Sequence, residues 1–285
     1  MHKVLVTGAN GQLGSEIRYL SPNFSFEFIF SDVEDLDITE KEKVHKFLVD
    51  NRINSIVNCA AYTAVDRAEA DFDTADKVNH LAVKYLAESA KELNIKLVHV
   101  STDYVFNGEA FQPYIEDSRC DPRNVYGISK RSAEEAILFL KLPNSVIIRT
   151  SWVYSSFGNN FVKTMRRLGS EKSEISVIAD QIGSPTYARD LASCILEILP
   201  KISSEGTEIY HFSNEGVSSW YDFSIAIMEL SGYSCLVNPI PSSQYPTPAK
   251  RPFYSVMDKS KIKREFGIKI PYWRESLLEC LKVLG

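Results

Sequence analysis

Tyr126 and Lys130 stand four residues apart in the stretch Pro122-Arg123-Asn124-Val125-Tyr126-Gly127-Ile128-Ser129-Lys130, which reads as the opening of a helix. Positions i and i+4 share one helix face, so a phenol and an ammonium point into the same space. A phenol of ordinary pKa, about 10, is a poor acid-base group at neutral pH. A neighbouring ammonium stabilises the phenolate and draws that value toward the operating range. The pair then suits a proton donor for a carbonyl oxygen that receives a hydride. The same spacing also arises by chance on solvated helices, so the reading requires a hydride source and a carbonyl.

A hydride source is suggested at the other end of the chain. Val4-Leu5-Val6 is a short β-branched run of the kind buried on both faces of a parallel sheet, and it leads into Thr7-Gly8-Ala9-Asn10-Gly11-Gln12-Leu13-Gly14. Glycines between a strand and a helix let bare backbone turn tightly and lie against a pyrophosphate at the helix N-terminus. Asn10 stands where the G-x-G-x-x-G fingerprint has its middle glycine, so the triplet here is G-x-x-G-x-x-G. Asp32, closing the second strand (Phe26 to Phe30), is placed to accept hydrogen bonds from the adenosine ribose. Its carboxylate disfavours a 2'-phosphate, so NADH is expected to serve at least as well as NADPH.

The elements that must position these groups alternate through the first half. A helix runs to about Leu20, Thr39-Glu40-Lys41-Glu42 reads as a capping box opening another, and Ser55 to Asn58 is the third strand. Apolar residues at helical spacing run from Asp73 to Leu93, Lys96 to Ser101 is strand four, and Ser145 to Arg149 is strand five. The fold class is therefore α/β, a Rossmann-type parallel sheet with helices on both faces. We expect a dinucleotide-binding part over 1–150 and, over 151–285, a smaller substrate-binding lobe with some segments returning to the sheet. Helix patterns at Phe161 to Leu168, Leu191 to Leu199 and Tyr221 to Leu230 alternate there with strands at Ile175 to Ile178 and Ile209 to Phe212. Prolines 239, 241, 246, 248 and 252 imply a shaped loop rather than a central strand.

Composition narrows the classes. A chain of 285 residues can bury a sizeable core, and its net charge of -5 with no isolated basic cluster argues against nucleic acid. Five scattered cysteines never form Cys-x-x-Cys, which indicates neither a disulfide framework nor a zinc site. Met1-His2-Lys3 leads straight into the first strand, so no signal peptide or spanning helix is expected and the cytoplasm is the expected location.

Six motifs in order carry a resemblance: Val57-Asn58-Cys59-Ala60-Ala61-Tyr62-Thr63-Ala64-Val65-Asp66, Ser101-Thr102-Asp103-Tyr104-Val105-Phe106, Asn124-Val125-Tyr126-Gly127, Arg149-Thr150-Ser151-Trp152-Val153-Tyr154, Gly158-Asn159-Asn160-Phe161, and Tyr245-Pro246-Thr247-Pro248-Ala249-Lys250-Arg251-Pro252. Along its full length the chain resembles the extended short-chain dehydrogenase/reductase family, in its dTDP-4-dehydrorhamnose reductase branch. The resemblance implies reduction of the C4 ketone of dTDP-4-dehydro-L-rhamnose by NADH or NADPH, the last step of dTDP-rhamnose synthesis for surface polysaccharide. It implies catalytic roles for Thr102, Tyr126 and Lys130, with Lys130 also holding the cofactor ribose. Cofactor contacts are implied at Gly8, Asn10, Gly11, Gln12, Leu13, Gly14, Asp32, Asp37, Ala60, Ala61, Thr63 and Asn79. Asn79 reads equally well as a buried amide fixing backbone. Candidate substrate contacts are Thr102, Asp103, Trp152, Asn159, Asn160 and Arg251, the guanidinium of Arg251 suiting a diphosphate. Trp152 and Trp220 read more readily as core than as ligand platforms.

Two alternatives stand beside this. Another nucleotide-sugar ketoreductase or epimerase shares the tyrosine and lysine, although Tyr104 after Asp103 lacks the glutamate of a dehydratase. A non-catalytic subunit like the regulatory subunit of methionine adenosyltransferase also resembles this branch. Some relatives dimerise around a divalent metal held by glutamates, one matching Glu16, but Arg189 occupies the position aligned with a second. No structural metal is expected, and either a monomer or a metal-independent homodimer.

Overall fold

The computed structural model describes residues 2–285. Strand β1 (Lys3–Thr7) is followed by α1 (Gln12–Leu20), β2 (Glu27–Ser31), α2 (Lys41–Asp50), β3 (Ser55–Asn58), and the short helices α3 (Val65–Ala68) and α4 (Phe72–Asp76). A π-turn at Lys77–Leu81 joins α4 to α5 (Ala82–Glu92), and β4 (Lys96–Thr102), α6 (Val125–Leu140) and β5 (Ser145–Thr150) complete the first half. Beyond them come β6 (Val153–Tyr154), α7 (Phe161–Glu171), β7 (Glu174–Ile178), β8 (Ile182–Gly183), β9 (Thr186–Tyr187), α8 (Ala188–Ile198), β10 (Thr207–His211), β11 (Ser218–Ser219), α9 (Trp220–Ser231), β12 (Leu236–Ile240), α10 (Ser260–Phe266) and α11 (Trp273–Leu284).

Six strands form one sheet in the order β10-β5-β4-β3-β1-β2, all its pairings parallel. Strand side chains alternate between faces, and the apolar runs feed two separate cores accordingly. Val4 and Val6 join Ile17, Leu191, Ile195 and Phe212 on one face, while Leu5 joins Ile56, Leu86, Ile137 and Ile147 on the other. A third cluster, around Tyr154, Phe223, Trp273 and Leu277, is built from the second half alone. Strand β10 and helix α8, which packs on α1, belong to the sheet layer although they come late in the chain.

The order reverses at β1, which has β3 on one side and β2 on the other. Such a reversal opens a crevice at the carboxyl ends of the strands, where this sheet places the glycine loop, Asp32, Cys59 and Thr102.

Three local expectations are corrected. No capping box forms at residues 39–42: Asp37 takes both the N–H and the hydroxyl of Thr39, and α2 begins after Glu40. The helical run from Asp73 to Leu93 is interrupted by the π-turn. Pro239 lies in β12 rather than a loop, which is permitted because β12 pairs only with β7 in a two-stranded sheet and both are edges.

Candidate active site

Asn124 caps α6, its Oδ1 accepting the Gly127 N–H at 2.8 Å while its Nδ2 donates to the Lys250 carbonyl at 2.8 Å. One side chain thus starts the helix and ties the proline-rich loop to it. Gly127 lets that helix end press against the turn at Asp103–Val105, because a Cβ there would overlap the Tyr104 carbonyl. Tyr126 is consequently held beside the end of β4, its ring meeting that of Tyr104 edge-on at 5.6 Å. Thr102 and Asp103 lie next to them, both buried.

Burial raises the Tyr126 phenol above its ordinary value, opposed by a hydrogen bond with Thr102 and reinforced by the nearby Asp103 charge. The ammonium expected to lower it is turned away. Lys130 Nζ donates to the Val100 carbonyl at 2.7 Å and faces His99 Nε2 at 3.2 Å. Burial brings this amine down to about 8. The expected phenol–ammonium couple is thus not formed. Thr102 is also engaged, donating to Asp103 Oδ1 at 3.0 Å and accepting the Tyr104 N–H at 3.2 Å. Burial pushes the Asp103 carboxyl up to about 6, against hydrogen bonds from Ser255 and Thr102.

A cleft of about 290 Å³ lies along the strand ends, lined by Gly8, Gly11, Asp32, Asp37, Ala60 and Ala61 among others. Gly8 has φ +64°, and a Cβ on it would come within 2.6 Å of the Ala60 Cα; on Gly14 it would meet the Gly8 carbonyl at 2.5 Å. Backbone alone therefore forms the cradle at the start of α1. Asp32 Oδ2 accepts the Asn10 N–H at 2.9 Å and Oδ1 the Val33 N–H at 2.9 Å, which fixes the carboxylate at the rim. Hydrogen bonds from Thr39 hold the Asp37 carboxyl below its ordinary value. These donors, carboxylates and bare backbone fit a dinucleotide.

Other candidates take different places. Leu13 is a core residue, and Gln12 accepts from Asn160 Nδ2 at 3.0 Å. Thr63 is exposed and outside the cleft lining. Asn79 is fully buried in the π-turn, accepting the Tyr62 N–H at 2.8 Å and donating to the Tyr62 carbonyl at 3.1 Å and Ser129 Oγ at 3.0 Å. It is an amide that clamps the 59–63 loop to α6.

Asn160 is the N-cap of α7, and Asn159 beside it is exposed. Trp152 adopts the left-handed φ of +49°, a conformation a non-glycine residue holds only under constraint. Its ring stacks on Trp220 at 3.6 Å with 8° between planes; both are half-buried, and Trp220 packs against the third core beside Phe161 and Phe223. Arg251 does not stand free: it pairs with Asp66 at 2.6 Å and contacts Tyr104, whose phenol burial pushes up to about 12 despite the guanidinium.

Four residues outside the sequence-level site set prove central to this geometry: Asn58, Asp66, His99 and Asn124. A histidine within the apolar run Lys96 to Ser101 and an asparagine two positions before Tyr126 were the available signals.

Comparison with known proteins follows the same lines. The family model for the RmlD substrate binding domain matches residues 1–285. A dTDP-4-dehydrorhamnose reductase of Aggregatibacter actinomycetemcomitans is 44% identical, with 97% of each chain covered. The spore coat polysaccharide biosynthesis protein SpsK of Bacillus subtilis is 43% identical, over 99% of this chain and 98% of that one. Among solved structures, the dTDP-4-dehydrorhamnose reductase of Bacillus anthracis in complex with NADP superposes with a TM-score of 0.94 at 37% identity, covering 99% of both chains. Whole-length agreement in sequence and fold, over the crevice just described, makes this chain a member of the RmlD family of dTDP-4-dehydrorhamnose reductases.

Proposed function

We infer that the protein is an NAD(P)H-dependent reductase that converts dTDP-4-dehydro-L-rhamnose to dTDP-L-rhamnose. The observation that carries this reading is the pairing of Tyr126 with Thr102 at the end of β4, on the same carboxyl edge of the sheet as a cleft lined by Gly8, Gly11 and Asp32. The dihydronicotinamide supplies the hydride for C4 when bound. Gly8 and Gly11 line the cleft where the pyrophosphate would lie at the start of α1, Gly14 lets the loop pack closely on that helix, and Asp32 and Asp37 face the adenosine end.

At the ketone, Tyr126 donates the proton that neutralises the developing oxyanion, and its high pKa keeps that proton in place until charge appears. Thr102 turns its hydroxyl from Asp103 toward the same oxygen. That turn gives up one of the hydrogen bonds that hold the Asp103 carboxyl down against burial. Lys130 must leave the Val100 carbonyl to reach the ribose and the phenol. Arg251, released from Asp66, offers its guanidinium to the diphosphate, and the Trp152–Trp220 stack borders the sugar side.

The cysteines are unpaired, which suits a reducing cytoplasm, and no helix among the described residues is long and apolar enough to cross a membrane. Incubation with NADH or NADPH and the 4-keto sugar nucleotide tests the assignment. A reductase consumes one cofactor per sugar; an epimerase or a non-catalytic subunit leaves the cofactor intact.

A further inference from the structure

His99 is fully buried in β4, between Val98 and Val100, and both of its ring nitrogens are occupied. Nδ1 faces Asn58 Nδ2 at 3.0 Å and Nε2 faces Lys130 Nζ at 3.2 Å. The orientation of the Asn58 amide is settled from its other side. Its Oδ1 faces the Ala60 N–H at 3.3 Å, a group that can only donate, and the Thr7 hydroxyl at 2.6 Å. The Asn58 nitrogen is therefore the donor toward His99, and Nδ1 must accept.

A neutral imidazole that accepts at Nδ1 carries its proton on Nε2. Burial keeps this ring neutral. The Nε2–H consequently points at Lys130 Nζ. An ammonium has three donors and no acceptor, so it cannot receive that hydrogen. A neutral amine can: its lone pair takes the imidazole N–H while one of its own hydrogens goes to the Val100 carbonyl at 2.7 Å.

We propose that His99 is a positioning residue that holds Lys130 against the sheet and favours its neutral amine there, and that cofactor binding raises the amine's affinity for a proton as Lys130 turns from the sheet to the ribose. The idea rests on the assignment of Lys130 to the cofactor site. Facing the amine are Glu134, one turn along α6, which favours the charged form; the Cys59 thiol after β3; and from β4 the His99 ring and the Val100 carbonyl. Burial outweighs Glu134 and brings the amine to about 8, the direction the tautomer requires.

The sign of the linkage follows. Ribose hydroxyls accept from an ammonium, so the bound amine has a higher pKa than the free one. Affinity for NADH is then fully present below the free value and is lost as pH rises from about 8 through the bound value, approaching tenfold in Kd per pH unit.

Long-range ¹H–¹⁵N spectra of the imidazoles in the cofactor-free protein read the tautomer directly. We expect His99 protonated on Nε2 and bare on Nδ1; a proton on Nδ1 overturns the proposal whatever any variant does. NADH affinity measured from about pH 6 to about pH 10 gives a second readout, in wild type and in His99→Gln, whose side-chain oxygen can accept from an ammonium. The fall in affinity should begin near pH 8 in wild type and about one unit higher in the variant. Equal windows in two folded proteins contradict it. Neither readout involves the sugar, so failure of the substrate assignment leaves both standing.

Discussion

At the residue scale the chemistry depends on a phenol that keeps its proton and a lysine that must change partners. Tyr126 is pushed up by burial, and Lys130 is bound to the sheet, so the phenol is a proton reservoir before it is an acid. Replacing Tyr126 with phenylalanine removes one hydroxyl and keeps the ring against Tyr104. We expect kcat to fall about 10²- to 10⁴-fold with NADH affinity nearly unchanged. Near-normal turnover would assign the proton to Thr102, Asp103 or water. Asp32 governs the other end of the cofactor. Held by two backbone N–H groups, its carboxylate is proposed to accept a ribose hydroxyl and would repel a phosphate there, so kcat/KM for NADH should at least equal that for NADPH. A large preference for NADPH would mean that the carboxylate moves away on binding.

At the scale of elements, the site depends on connections between segments that are distant in sequence. Asn79 is the clearest case, a π-turn residue that joins the Tyr62 backbone to Ser129 on the catalytic helix. Truncation to alanine leaves the part-buried N–H and carbonyl of Tyr62 without their partner, a cost of about 1–3 kcal/mol. Denaturant unfolding should show that loss, and NADH affinity should weaken more than kcat does. An unchanged midpoint would mean that the loop finds other partners. The strands were legible because their β-branched runs are buried on both faces, and Ser55–Asn58 matches its apolar run to the residue. Helix α6 was legible from the spacing of Tyr126 and Lys130, whereas its cap at Asn124 was seen only in the structure. What sequence could not show was competition among polar groups. Thr39 resembled a helix cap until Asp37 took its hydroxyl, and Lys130 resembled the partner of Tyr126 until the Val100 carbonyl proved nearer in chemistry. Helices α10 and α11 went unread because their apolar positions make sense only against β10 and α9, which lie far upstream.

For the whole molecule, the lateral surface of α1 bears on assembly. Glu16, fully buried, accepts from Arg189 Nε at 2.8 Å and from Ser155 Oγ at 2.6 Å, and the guanidinium also lies over Tyr19 at 4.3 Å. Both carboxylate oxygens are thus used within the chain, and an arginine stands where a metal would need an anionic ligand. Sedimentation should give the same mass with and without EDTA; a mass that falls on chelation would contradict this. Sheet, cleft and second-half cluster together describe a reductase, and the direct test is where the hydride goes. NADH deuterated at its transferable position, given with dTDP-4-dehydro-L-rhamnose, should leave deuterium at C4 of every product sugar and an equal amount of oxidised cofactor. A product without label, or a sugar altered while the cofactor stays reduced, would contradict the account.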